Sequence, residues 1–153
     1  MKLLARDLFG SGHALNSPAH ITLIPPFFAT AEEIERFSSA LENLMAEKEI
    51  PEIRLNGFDK FGRRVIFVDV EKNSGLERLQ QEIFDLFKQH FPHYRKPNRF
   101  HPHVTVAFKD LREDVFDEAW QYFSGDDYFA TFRPPGLTIL QHRHKRWHKV
   151  KDI

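Results

Sequence analysis

The sequence of 153 residues contains no cysteine. That excludes disulfides, thiolate metal sites and cysteine nucleophiles. It also lacks an excess of either charge, with 22 Lys and Arg against 22 Asp and Glu. No global field therefore draws the chain to nucleic acid. No apolar run is long enough to span a bilayer, and no signal-peptide pattern is present. A soluble, cytoplasmic protein is the expectation, without a membrane partner. No cofactor motif is visible, so neither cofactor nor metal is expected.

Phenylalanine is plentiful, at 16 residues. It supplies core volume and aromatic surface on which a base could stack. Charge is balanced overall but unevenly spread. Glu113, Asp114, Asp117, Glu118, Asp126 and Asp127 form an acidic stretch, and Arg143, Lys145, Arg146, Lys149 and Lys151 a basic one. Such runs are most often solvated faces.

Periodicity places three helices. Thr30 and Glu33 form a capping box for 31–47, with Ile34, Phe37, Leu41, Leu44 and Met45 as its apolar stripe. Ser74 and Glu77 are read the same way for 75–90, whose stripe is Leu76, Leu79, Ile83 and Leu86. A third helix covers about 112–123. Strands are predicted at 52–58, 64–71, 128–133, 136–142 and 145–151, with turns at 60–62 and 134–136. Two short apolar strands remain, 20–24 and 103–108.

The order repeats. A helix, a short strand, a helix and a hairpin occur as 2–9, 20–24, 31–47 and 52–71, then again from 75–90 onward. The pattern predicts one two-lobed domain over 1–153 with a pseudo-twofold axis. Strand 64–71 precedes helix 75–90, and its counterpart in the first half is absent. An incomplete first-lobe sheet follows, its edge covered, filled by another strand, or paired with a second chain in a homodimer.

The two short strands carry one motif twice: His20-Ile21-Thr22-Leu23 and His103-Val104-Thr105-Val106. In a strand, residues i and i+2 share a face. Each strand thus offers an imidazole and a hydroxyl together, with the intervening apolar residues facing the core. A twofold axis sets the pairs across a cleft. One neutral imidazole can take a proton from an attacking oxygen, and one imidazolium can give a proton to a leaving oxygen. The hydroxyls can hold the non-bridging oxygens of a phosphodiester between them. Core or strand-capping histidines are the bland alternative.

Around "SPAHITLIPPF" (17–27), "RFHPHVTVAF" (99–108) and the hairpin "FDKFGRRVIFVDV" (58–70), the sequence resembles the 2H phosphoesterase superfamily, especially its 2′-5′ RNA ligase or LigT-like members. The resemblance covers nearly the whole chain, except that members usually open with a strand not found here. It implies an α+β fold of two lobes, with antiparallel sheets flanking a central cleft and helices outside. It implies hydrolysis of 2′,3′-cyclic phosphates to 2′-phosphates, or 2′-5′ linkage chemistry, on an RNA 3′ end or a cyclic nucleotide. His20, Thr22, His103 and Thr105 match the family's four catalytic positions.

Other residues are weighed beside these. Phe100 could stack a base, as could Phe27. Arg99, Lys96, Arg63 and Arg64 could contact phosphates. His101 could assist substrate binding or, with His103, hold a metal, though two histidines without a carboxylate or thiolate make a poor zinc set. Arg143 is the best rim candidate of the basic C-terminal stretch. His13, His90 and His93 are assigned no function. Two other readings compete with the metal-independent phosphoesterase. One is a module that binds RNA ends without turnover; the other is a metal-dependent hydrolase.

Overall fold

The amphipathic segments become four helices, because each can bury one stripe and leave the other face in water. The computed structural model describes residues 1–95 and 99–153. Its helices are α1 (Lys2–Phe9), α2 (Ala31–Met45), α3 (Ser74–His90) and α4 (Phe116–Ser124). Its strands are β1 (Ile53–Phe61), β2 (Val65–Val70), β3 (His103–Phe108), β4 (Phe129–Phe132), β5 (Thr138–Arg143) and β6 (Arg146–Asp152). The chain is α+β, with an antiparallel four-stranded sheet ordered β3-β2-β1-β4 and an antiparallel β5–β6 hairpin. No helix among the described residues is long and apolar enough to cross a membrane.

Two apolar clusters organise the chain. The first packs α1 and α4 on one face of the large sheet. Ile66, Val68 and Val70 of β2 point into it with Val106, Ala5, Phe116 and Phe123. Alternation sends Phe67 and Asp69 to the opposite face, where they stand across the ladder from Thr105 and His103. A bulge at Asn56 and Gly57 keeps Leu55 and Phe58 on the core side of β1. Gly57 has φ +67°, a conformation that favours glycine. The second cluster joins α2 and α3 through Phe37, Leu41, Leu79, Ile83, Phe84 and Phe87, with Leu137 and Ile153 at the base of the β5–β6 hairpin.

The α2 capping box forms as expected: Thr30 Oγ1 accepts from the Glu33 amide, and the Glu33 carboxylate accepts from the Thr30 amide. At α3 the cap is Asn73 rather than Ser74. Its Oδ1 accepts from the Leu76 amide at 3.0 Å, and its Nδ2 donates to the Glu52 carbonyl. An amide can do both where a hydroxyl placed one residue later reaches neither.

The segment 20–24 departs from expectation. Among the described residues it pairs with no strand. A strand exists only through its ladder, and here, among the described residues, the β5–β6 hairpin pairs with itself alone. Pro25 and Pro26 also lack the N–H groups that would carry a ladder onward. Side-chain donors reach the backbone instead: Gln80 Nε2 donates to the Leu23 carbonyl at 3.1 Å, and the Tyr94 hydroxyl to the Pro25 carbonyl at 3.5 Å. Alternation gives the faces of a segment, not its partner. Residues 2–9, also outside any sheet, form a helix.

Candidate active site

His103 opens β3, and its imidazole lies over a floor of aromatic rings. Phe67 is fully buried beneath it, 5.0 Å between centroids, and Phe61 meets it edge-on at 5.0 Å. The His103 Nδ1 lies 2.7 Å from the carbonyl of His101. A carbonyl only accepts, so this bond places the proton on Nδ1 and leaves Nε2 as the free nitrogen. His20 repeats the arrangement: its Nδ1 lies 2.8 Å from the carbonyl of Pro18. In both motifs, then, the ring is fixed by the carbonyl two residues earlier. Among the described residues neither Nε2 has a hydrogen-bond partner.

Burial pushes the His103 imidazole below its ordinary pKa. The bond to the His101 carbonyl opposes this, the charges of His101 and His20 add to it, and Asp69 opposes it. His20 is thus close enough for its charge to bear on His103, although it sits on an exposed loop.

A cleft of about 350 Å³ opens between the motifs, lined by Thr22, Leu23, Pro25, Phe61, Gln80, Arg99, Phe100, His101 and His103. Of the residues anticipated from the sequence it brings together Thr22, Arg99, Phe100, His101 and His103, whereas His20 and Thr105 are not among its lining residues. Thr22 is exposed in it; Thr105 is half-buried on β3, opposite Phe67. Arg99 is an exposed guanidinium on the rim, and Phe100 contributes a ring that also packs on the first core cluster. His101 points its Nε2 at Asp69, 3.3 Å away. The other anticipated contacts lie elsewhere. Arg143 is exposed at the end of β5, next to the hairpin turn, and is not among the cleft-lining residues. Arg63 spends its guanidinium on Asp117, at 2.6 and 3.0 Å, and on the Glu113 carbonyl. Phe27 packs edge-on against Phe87 in the second cluster. Lys96 lies outside the described residues. Among those described, no three His, Cys, Asp or Glu side chains gather as a metal set.

Three contributors went unnoticed in the sequence. Gln80 was legible as a polar residue on the apolar stripe of α3, between Leu76 and Ile83; its side chain is almost fully buried at the cleft. Asp69 was legible as the one acid within a run of β-branched and aromatic residues. Lys2, whose ammonium donates to the carbonyls of Ala14, Ser17 and Pro18, gave no local signal.

Comparison with known proteins places the chain in a family. The 2′-5′ RNA ligase superfamily model matches residues 4–146. A protein of Geobacillus kaustophilus that bears a phosphoesterase name is 32% identical over 108 residues, covering 69% of this chain and 59% of that protein. The RNA 2′,3′-cyclic phosphodiesterase of Bacillus subtilis is 32% identical over 114 residues, covering 70% of this chain and 60% of that enzyme. The match thus spans about three fifths of the length of these relatives. With the family model matching nearly end to end, the chain belongs to the 2′-5′ RNA ligase superfamily, the 2H phosphoesterases.

Proposed function

We propose that the chain hydrolyses a 2′,3′-cyclic phosphate, at an RNA 3′ end or on a small nucleotide, by two-histidine acid–base catalysis without a metal. The observation that carries this is the matched pair of imidazoles. Each Nδ1–H is held by the carbonyl two residues earlier, and each Nε2 is left for substrate. The recurrence of that bond in both motifs supports a duplicated, two-lobed fold. The name of the Bacillus subtilis relative supports the substrate class.

Burial at His103 supports a division of roles. His103 is biased toward the neutral form by burial, so its Nε2 is the general base. It takes a proton from water as the water oxygen bonds to phosphorus. The bond from phosphorus to the 3′ oxygen breaks, and His20, entering as the imidazolium with Nδ1–H on the Pro18 carbonyl, gives that oxygen the proton on its Nε2. A 2′-phosphate and a free 3′ hydroxyl result. His103 then holds the extra proton, and exchange with solvent resets the pair. Thr22 and Thr105 donate hydroxyl hydrogens to the non-bridging oxygens, where charge grows in the transition state. Arg99 offsets charge at the rim, and Phe100 offers a face to the terminal base.

The test is incubation with a short RNA ending in a 2′,3′-cyclic phosphate, in excess chelator, with product identification. Formation of the 2′-phosphate is expected. Tight binding without turnover would leave an RNA-end binding module, and turnover abolished by chelation would contradict the metal-free scheme.

A further inference from the structure

The two motif histidines are anchored unequally. His103 stands on β3, and the ladder to β2 fixes its backbone. His20 lies on a loop that pairs with no strand among the described residues. Yet an acid–base pair must hold its geometry closely, because a 1 Å displacement can cost about 10²-fold in rate. Something other than a ladder must place His20.

The Lys2 ammonium sits at the end of that loop. It has three N–H donors, and all three are used: on Ala14 O at 2.8 Å, on Ser17 O at 3.0 Å and on Pro18 O at 3.0 Å. Pro18 O is the same carbonyl that accepts from His20 Nδ1. One oxygen therefore joins the cation to the imidazole. Lys2 begins α1, whose Ala5 is fully buried in the cluster that holds Val106 and Ala107 of β3. The start of the loop is tied to the same sheet. Asp110, just past β3, accepts from Ser11 Oγ and from the amides of Gly12 and His13.

We propose that Lys2 is the positioning residue for His20, gathering three carbonyls of its loop and fixing the Pro18 oxygen that sets its tautomer and direction. The role rests on the reading of His20 as catalytic, but the placement of the ring does not. Through α1, Lys2 relates the loop of His20 to the sheet that carries His103. Lys2 is not among the cleft-lining residues, so its loss is expected to act on the chemical step rather than on binding.

The experiment compares wild type, Lys2→Met, Lys2→Gln and Lys2→Arg by imidazole ¹⁵N NMR and by kinetics on cyclic-phosphate RNA. Lys2→Met keeps most of the stem and loses every donor; Lys2→Gln keeps two and is read the same way if Lys2→Met fails to fold. The His20 resonances should move from a fixed Nδ1–H form toward a tautomer mixture while those of His103 stay in place. In parallel, kcat should fall about 10- to 100-fold with KM within about twofold, and Lys2→Arg should recover most of the loss. Unmoved His20 resonances in Lys2→Met, or equal movement at His103, would overturn the proposal. The NMR arm decides it even if wild type turns over no RNA, an outcome that counts against the catalytic reading alone.

Discussion

Asp69 lies 3.3 Å from His101 Nε2 and stands directly across the β2–β3 ladder from His103. One carboxylate thus addresses the imidazoles of both His101 and His103. Its charge favours the protonated form of His103, opposing the effect of burial. Asp69→Asn should lower the His103 pKa further. The acidic limb of the pH–rate profile, where the base becomes protonated and activity is lost, should move to lower pH. A limb that stays in place would show that His103 is not the base.

The same titration is coupled to folding. The His103 pKa is depressed in the folded chain, so the unfolded chain binds the extra proton first as pH falls. Its contribution to stability is intact above about pH 6.5, the ordinary histidine value. It is lost as pH falls through the folded pKa. Denaturant midpoints of wild type and His103→Asn, compared at pH 8 and pH 5, should show the steeper fall in wild type. Parallel falls would contradict a depressed pKa.

Asp110 holds the start of the first motif's loop through Ser11, Gly12 and His13, and Ser11 is fully buried. Asp110→Ala leaves those donors without their acceptor. A loss of about 1–3 kcal/mol is expected from unfolding curves, most of it the desolvation cost of unpaired groups. A change under about 0.5 kcal/mol, the ordinary surface range, would mean water replaces the carboxylate.

The threonines give a graded test. Thr22 lines the cleft and is exposed, so Thr22→Val should fold as wild type does and lower kcat by about 10²-fold, the usual cost of one transition-state donor. Thr105→Val sits half-buried on a strand that favours valine, so its fold should also survive. Unchanged rates in both would discard the phosphate clamp.

Much of this was legible in the sequence where local physics decides. The stripes of α2 and α3 follow from 3.6-residue periodicity, and β3 runs from His103 to Phe108 as alternation predicts. The second motif therefore lands as expected, with His103 and Thr105 on one face. The first does not land on a strand, because the partner of a strand is a long-range fact that alternation cannot carry. Lys2 was invisible for the same reason: its carbonyls lie 12 to 16 residues away and are backbone groups, with no side-chain pattern to read. Arg63 looked free beside Arg64, yet its acid partner Asp117 lies on α4, brought near only by the packing of that helix on the sheet.

The most direct test of the two-histidine account is single-turnover hydrolysis of a cyclic-phosphate RNA by wild type, His20→Ala and His103→Ala, with substrate affinity measured alongside. Both rings project a free Nε2 and neither is deeply buried, so both variants should fold and bind substrate within several-fold of wild type. Each should lose about 10²–10⁴-fold in rate, the usual worth of one general acid or base. Retention of the wild-type rate by either variant would show that the named histidine takes no part in the chemistry.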